Sequence, residues 1–411
     1  MQCQCSAGIS ITDKERNPAI SGSRKIGRVP FYFRRLRIEN EPWRFCLLRA
    51  GKIHRPNNFS RLIFQQRRTQ TSYQNLSNCL YQDKRLSRCM SSPTVTLTQC
   101  TNYGRGKIAE AIQKHFELLG GLEKFISRGD TVLLKPNFIA PRARRCATQT
   151  DPAIIIETAR LLKDFGAKPF IGDSPAWGNV FTCIKALNME EDLKKLAVPV
   201  KQLDKPKKCR IGTDNTTVGI SSVALDAETI INLAKFKTHQ QLVATFAVKN
   251  MFGCVSGKQK AYWHFAKGKN ADDFCELLIG IYKFLNPALT IIDAVTAMDG
   301  PGPIRGRARP LGWLIGGTDP IACEIVCAKL VDVEPEEMPI IKTAKQTGFG
   351  CCDLDKIKIV GDSLPENVCT DFELPEPVPI RFSLLHVCKS ICKQILLLAG
   401  SAVEKFQSRR R

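Results

Sequence analysis

The sequence predicts an α/β fold, in which a mostly parallel sheet carries helices on both faces. From Pro93 to about residue 362, short apolar runs alternate with segments of helical spacing. The runs are apolar on both faces, which is typical of parallel strands buried between helices. Lys and Asp recur where these runs end, and the carboxyl edge of such a sheet is where ligands bind.

Each apolar run is interpreted as a strand, and turn or capping residues bound it. The predicted strands are Thr94–Thr98, Thr131–Leu134, Phe170–Ile171, Glu228–Phe236, Leu289–Ile292, Trp313–Ile315 and Ile357–Val360. Helical spacing predicts helices over Lys107–Leu119, over Ala153–Phe165 after Asp151-Pro152, and from Pro320 onward, capped by Thr318 or Asp319.

Two flanking regions differ from the α/β domain predicted over residues 93–362. Residues 1–92 form a basic extension without sustained periodicity, interpreted as a disordered arm, an organelle transit sequence, or an upstream stretch joined to a true start at Met90. Residues 363–411 contain a proline-rich linker and an apolar helix over Ser383–Val403. That amphipathic helix either packs on the domain, lies on a membrane surface or meets a partner.

Composition limits the classes of function. The net charge is +22, but residues 1–89 carry 18 Lys and Arg against five Asp and Glu, which leaves 43 against 34 for the rest. Nucleic-acid binding by the domain itself is therefore not predicted. No apolar run is long enough to span a membrane. The 18 cysteines are scattered, which favours reduced thiols and a cytoplasmic protein, or an organelle protein if residues 1–89 are a transit sequence.

Several polar residues are predicted to meet at one edge of the sheet. In a parallel sheet the carboxyl ends of the strands share that edge, so residues that follow different strands converge there. A small anionic substrate would bind there to lysines and polar groups. The candidate substrate-binding residues are Lys135, Asn137, Asp173, Lys235, Asn250 and Asp293, and Asp319 follows another strand in the same way.

The stretch from Thr229 to Phe265 holds the candidate catalytic residues, which are His239, Lys249 and Lys237. A partly desolvated lysine can act as nucleophile or base, and histidine transfers protons near neutral pH. After a turn at Thr238-His239 the segment resembles a helix. One straight helix over Thr238 to Asn250 would separate His239 from Lys249 by about 15 Å. The two would then serve opposite ends of a larger ligand, unless His239 reaches back from the turn.

Metal ligation is a weaker prediction. His264 and Cys254 are the candidate ligands, and neither a ferredoxin-type nor a zinc-ribbon cysteine pattern is present. Cys323 and Cys327 share one face of a predicted helix, where buried packing is the favoured interpretation.

Ordered motifs give the domain a resemblance to a known family. They are Lys135-Pro136-Asn137, Gly172-Asp173-Ser174-Pro175, Lys235-Phe236-Lys237-Thr238-His239, Val248-Lys249-Asn250-Met251-Phe252-Gly253, Trp263-His264, Asp299-Gly300-Pro301-Gly302-Pro303 and Asp319-Pro320. Together they resemble the domain of unknown function 362 family over about residues 94–362. Members of that family often accompany ferredoxin-type iron–sulfur modules, so the resemblance implies an iron–sulfur or ferredoxin-type partner. The chain itself lacks the four-cysteine motif.

The order and near-spacing of His239, Lys249 and His264 are also similar to the nickel-pincer lactate racemases. That similarity implies that His239 is the acid/base, that Lys249 anchors the cofactor and that His264 coordinates nickel. The leading hypothesis is an enzyme, isomerase-like or oxidoreductase, that acts on a small anionic metabolite. The alternatives are a redox or cluster-handling protein without its own catalysis, and a basic nucleic-acid-binding protein.

Overall fold

In the computed structural model, the described part of the chain comprises residues 93–212, 216–257, 259–366 and 369–380. They belong to one compact unit, Asn75–Arg411. The basic extension predicted over residues 1–92 and the helix predicted over Ser383–Val403 lie outside the described residues.

Eleven strands occur in the described residues. They are β1 (Thr94–Gln99), β2 (Thr131–Pro136), β3 (Lys168–Asp173), β4 (Val200–Gln202), β5 (Pro206–Ile211), β6 (Thr216–Ser221), β7 (Thr229–His239), β8 (Val243–Thr245), β9 (Leu289–Asp299), β10 (Arg307–Gly317) and β11 (Lys358–Gly361).

Nine of these strands form one sheet. Its order is β11-β1-β10-β9-β7-β2-β3-β4, and β8 pairs with β7 as a hairpin arm. The neighbours in β9-β7-β2-β3-β4 are parallel, as are β1 and β11. Strands β5 and β6 form a separate antiparallel pair. The predicted mostly parallel sheet is therefore confirmed.

Strand β10 is not parallel to its neighbours, and its direction contradicts the predicted position of Asp319. It is antiparallel to both β1 and β9, with Gly317 opposite Val95 and Thr290. Its carboxyl end consequently lies at the edge where the parallel strands begin. The prediction that Asp319 belongs to the shared carboxyl edge is wrong, because it assumed a parallel strand. Asp319 instead caps a helix, where its carboxylate accepts from the backbone N–H groups of Ile321 and Ala322.

The helices lie on the two faces of the sheet. They are α1 (Arg105–Leu118), α2 (Pro152–Phe165), α3 (Val180–Ala186), α4 (Glu190–Lys195), α5 (Ser222–Leu225), α6 (Ala247–Asn250), α7 (Gln259–Ala266), α8 (Ala271–Leu285), α9 (Pro320–Leu330) and α10 (Pro339–Thr347). Helix α2 begins with the predicted cap, since Asp151 accepts from Ala153 N–H, and Gly166 ends the helix in the left-handed region.

Two apolar cores separate these helices from the sheet. Alternate residues of β7 divide between them, since successive side chains of a strand point to opposite faces. Ala234 and Phe236 belong to the core with α6, α8 and α9, whereas Ile231 and Leu233 belong to the core with α1 and α2. Cys323 and Cys327 are buried in the first core, so their predicted packing role is confirmed.

Strands β7 and β9 are longer than the apolar pattern predicted. Both continue through their polar residues, β7 to His239 and β9 to Asp299. Beyond His239 the chain forms a β-hairpin, with His239 opposite Val243, and only Ala247–Asn250 is helical. The single helix considered over Thr238 to Asn250 is therefore wrong, because the β-branched residues Val243 and Thr245 pair with β7.

No helix in the described ranges is sufficiently long and apolar to span a bilayer. No disulfide bond joins cysteines within those ranges.

Candidate active site at the carboxyl edge of the sheet

Lys135, near the end of β2, forms one of two buried ion pairs at the edge. Its Nζ lies 2.9 Å from Asp173 Oδ1, and both side chains are 1% exposed. The ammonium also donates to Pro136 O at 2.5 Å and to Asn250 Oδ1 at 3.4 Å. The other Asp173 oxygen accepts from Phe138 N–H. Because its donors are all used, Lys135 holds the edge together through these bonds.

Lys235 forms the second buried pair on the opposite face. Its Nζ donates to Asp293 Oδ2 at 2.7 Å and to Tyr103 Oη at 3.0 Å. Lys235 and Asp293 are opposite each other in the pairing of β7 with β9, so the two strands bring them together. Removing one partner of such a pair leaves a buried charge and costs about 3–5 kcal/mol.

Lys237 is buried differently, because no carboxylate in the described residues pairs with it. Its Nζ donates to Asn137 Oδ1 and to Thr148 O, each at 2.7 Å. Burial lowers the pKa of Lys237 well below its ordinary value, and the neighbouring charge of Lys249 lowers it further. A bound anion would therefore favour the ammonium form of Lys237, since an opposite charge raises the pKa of an amine.

The hairpin brings His239 and Lys249 into direct contact. His239 Nε2 lies 2.5 Å from Lys249 Nζ, although ten positions separate the residues. His239 is buried, while Lys249 retains partial exposure. The two predicted catalytic residues can thus act on the same atom.

The hydrogen-bond pattern assigns the protons of this pair. Burial, followed by the charge of Lys249, lowers the pKa of His239 well below its ordinary value, so the imidazole is neutral. Its Nδ1 accepts from Gln241 N–H at 3.2 Å, which places the imidazole proton on Nε2. Nε2–H must then donate to a lone pair on Lys249 Nζ, and an ammonium has none. Burial accordingly lowers the pKa of Lys249 to about 7.

His264 lies near this pair but inside an aromatic cage. Its ring centroid is 4.5 Å from that of Phe274 and 5.8 Å from that of Phe252. Its Nδ1 is 3.4 Å from Ile380 O. Burial lowers the pKa of His264 to about 3, so the ring is neutral. Cys254 is fully buried. Within the described ranges, no group of three His, Cys, Asp or Glu side chains is placed to hold a metal ion.

Asn250 connects the edge to the interior of the sheet. Its Nδ2 donates to Asn232 Oδ1 at 2.7 Å and to Lys135 O at 3.1 Å. Asn137 accepts from Lys237, and its backbone N–H donates to Thr150. Both predicted substrate-binding amides therefore position the lysines.

Three further side chains at the candidate site were not predicted from the sequence. Lys260 donates to Ser174 O, and burial lowers its pKa to about 8. Glu324 in α9 is buried and accepts from Val248 N–H at 2.8 Å, one residue before Lys249. Burial raises the pKa of Glu324 to about 8. Tyr103 reaches the edge from the loop before α1. No sequence pattern marked Glu324, because it looks like one polar residue within an apolar helix.

A segment near the carboxyl end of the chain lies beside the site. Residues 369–380, here called the strap, run along the β7–β8 hairpin: Phe372 packs on Phe236 at 5.6 Å between ring centroids. Val378 N–H donates to Gln240 O, and Ile380 O faces His264. The strap therefore lies beside His239 and His264.

Comparison with known proteins identifies relatives. The sequence model of the family described as "Domain of unknown function (DUF362)" matches residues 132–329. The chain is 33% identical to the thylakoid-associated protein sll1697 of Synechocystis sp. over 310 residues, which are 74% of this chain and 95% of that protein.

A solved structure also matches part of the fold. It is the lactate racemase apoprotein from Thermoanaerobacterium thermosaccharolyticum, with a TM-score of 0.38 and 14% sequence identity. The match covers 58% of this chain and 57% of that chain.

Proposed function

The chain belongs to the DUF362 family, and from that premise we propose that it is an enzyme that acts on a small anionic metabolite at the carboxyl edge of its sheet. The observation that carries the proposal is the contact between His239 Nε2 and Lys249 Nζ. An uncharged amine that is hydrogen-bonded to a neutral histidine is prepared to accept a proton or to attack a carbonyl.

Each edge residue has a role in this proposal. Lys249 acts as the base or nucleophile, and His239 fixes and exchanges protons with it. Lys237, which lacks a carboxylate partner in the described residues, receives the substrate anion. Lys135 with Asp173, Lys235 with Asp293, and the two amides Asn137 and Asn250 hold these groups in position.

Proton abstraction beside a carboxylate is the reaction class that this set supports best. A base within reach of the substrate carbon removes the proton, and a nearby ammonium stabilises the charge that develops on the carboxylate oxygens. We therefore favour an isomerase- or racemase-like reaction over oxidoreduction.

The residues fit an organometallic cofactor at one point. In place of its role as base, Lys249 presents the uncharged amine that a covalent anchor requires, and a nickel-pincer cofactor held there would supply a hydride acceptor. For His264 and Cys254 the described residues offer no third ligand that completes a metal site. Elemental analysis for nickel, iron and sulfide checks this and the iron–sulfur redox alternative. Neither that alternative nor nucleic-acid binding gains support from a specific contact.

The pH dependence of amine reactivity tests whether Lys249 carries an uncharged amine in contact with His239. Brief acetylation with acetic anhydride between pH 5 and 11, followed by peptide mass spectrometry, reports the pH of half-maximal labelling. We expect this value to be near 7 for Lys249, with exposed Lys208 as the reference amine. Labelling of Lys249 that follows Lys208 would remove the basis of the proposal.

The reaction itself is tested by isotope exchange. The protein is incubated in D2O with glycerate, lactate, malate and pyruvate, and deuterium uptake at carbon is measured. Exchange should fall at least a hundredfold in Lys249→Ala and in His239→Ala. His239→Gln keeps an N–H donor toward the amine and should retain part of the activity. Exchange that is equal in all variants would exclude Lys249 as the base.

Location is a separate proposal. The Synechocystis relative is named as thylakoid-associated, which favours the organelle alternative over a cytoplasmic protein. A fusion of residues 1–92 to a fluorescent protein tests it, since diffuse cytoplasmic fluorescence would contradict targeting.

A further inference from the structure

An open cleft of about 420 Å³ lies on the α2 side of the sheet edge. The loop that leads into α2 forms one wall, and Tyr103 and Lys235 form another. Neither Lys249 nor His239 lines this cleft. It is therefore a different space from the one proposed above for the reaction.

Most polar groups of the cleft already have partners. Arg144 makes two hydrogen bonds to Asp151, at 2.6 and 2.8 Å, and lies over the Tyr103 ring. Tyr103 Oη donates to Asp293 and accepts from Lys235 and from Thr296 N–H. These bonds make the walls rigid before any ligand arrives.

Two groups in the wall lack partners within the described residues. Arg145 is exposed and has no ion pair or hydrogen bond there. Gln149 is 4% exposed, and its Oε1 has no hydrogen-bond partner although its Nε2 donates to Arg142 O. A buried acceptor left unpaired costs about 1–3 kcal/mol. Arg145 thus presents an unpaired guanidinium at the surface of the cleft, and Gln149 holds an unpaired acceptor within the wall.

Together these groups define the chemistry of a ligand. A guanidinium binds carboxylate or phosphate with paired N–H donors. Gln149 Oε1 needs a hydroxyl or ammonium donor. We propose that the cleft binds a small metabolite that carries an anionic group for Arg145 and a hydroxyl or ammonium group for Gln149. This goes beyond the proposed reaction, since the binding residues are not those of the Lys249 site.

The test is calorimetric titration of the full chain with three probes. Glycerate and glycerol 3-phosphate carry hydroxyls with a carboxylate or a phosphate, and propionate carries a carboxylate alone. The variants are Arg145→Gln, Gln149→Met and Lys249→Ala. Arg142→Gln is the matched control: it removes the same charge from the same loop, and the exposed Arg142 side chain does not line the cleft.

We expect glycerate or glycerol 3-phosphate to bind at least tenfold more tightly than propionate. The tighter of the two shows whether the cleft prefers a carboxylate or a phosphate. Arg145→Gln should weaken that binding at least tenfold, whereas Arg142→Gln should change it less than twofold. Gln149→Met should reduce the affinity to that of propionate. Lys249→Ala should change the affinity by less than the tenfold loss expected for Arg145→Gln.

Three results would overturn the inference. One is that neither glycerate nor glycerol 3-phosphate binds. Another is equal weakening by Arg145→Gln and Arg142→Gln, which would indicate general charge attraction. The third is loss of binding in Lys249→Ala, which would place the anion at the Lys249 site and leave the proposed function intact.

Discussion

The Lys249 side chain is half-buried, and burial of its amine lowers the pKa to about 7 from an ordinary 10.5. Between these two values the unfolded chain binds a proton that the folded chain does not. Stability must therefore rise with pH across this window, and below it the penalty is complete.

This gives a first prediction, for Lys249→Met. Relative to that variant, wild type should gain roughly 3 kcal/mol of unfolding free energy between pH 7 and pH 9.5. Urea denaturation at both pH values measures it. Every other titratable side chain is present in both proteins, so the pH-dependent difference between them reports the loss of Lys249. A difference independent of pH would mean that Lys249 is an ordinary ammonium in the folded protein.

Gly253 supports a second prediction. A Cβ atom there would lie 2.5 Å from Asp173 Oδ1 and 2.6 Å from Lys135 Nζ. Gly253→Ala should separate the ion pair and destabilise the protein by about 3 kcal/mol. The control, Gly106→Ala in α1, meets no atom within 4 Å and should be neutral or stabilising by up to about 1 kcal/mol. Equal melting temperatures for both variants would contradict the close approach.

At the residue scale the sequence indicated which lysines lie at the edge of the sheet but not which groups they pair with. Lys135, Lys235 and Lys237 are equivalent in the sequence, since each ends an apolar run. Their differences arise from Asp173 and Asp293, which strand pairing brings beside two of the three. Pairing between strands far apart in sequence cannot be derived from the local pattern.

Among the elements, short helix α6 depends on a distant buried carboxyl group. Glu324 accepts from the backbone of Val248 and so fixes the turn that carries Lys249. Glu324→Ala should destabilise the protein by about 2 kcal/mol or more and move the half-labelling pH of Lys249 upward. Glu324→Gln, which keeps an acceptor, should restore the value. Ala and Gln variants with the same labelling curve would exclude this positioning role.

The hairpin provides a fourth prediction, because Val243 adopts a positive φ of 62°. A β-branched residue is strained in this region, whereas asparagine tolerates it. Val243→Asn should raise the unfolding free energy by about 1 kcal/mol. Val243→Thr keeps the branched Cβ and should bring no gain. A stabilisation by Thr as large as that by Asn would disprove the strain.

The same hairpin shows why the sequence misled at this scale. Apolar and polar residues between Leu242 and Asn250 fit a helix as well as a strand followed by one turn of helix. Pairing of Val243–Thr245 with β7 decides between them, and a three-residue strand is too short to leave a clear period.

Over the whole molecule, the mostly parallel sheet was predictable because its central strands are apolar on both faces. The reversal of β10 was not, since a strand buried on both faces has the same composition in either direction. Asp319 was misplaced for this reason.

The strap gives a prediction at this scale. Phe372 is 8% exposed and anchors the strap to Phe236. Phe372→Ala should speed hydrogen exchange at Val378 N–H, which bonds to Gln240 O, and raise the half-labelling pH of Lys249. Glu376→Ala changes an exposed strap residue and serves as the control. If neither property responds to Phe372→Ala, the strap does not shield the amine.

The hydrogen bond from Lys237 to the carbonyl of Thr148 joins two neighbourhoods of the protein. Thr148 immediately precedes Gln149 in the wall of the cleft, and the charge of Lys249 lowers the pKa of Lys237. Filling one space should therefore alter proton affinity in the other, and by linkage the influence must be equal in both directions. A metabolite bound in the cleft would thus change the pH at which the Lys249 site is active.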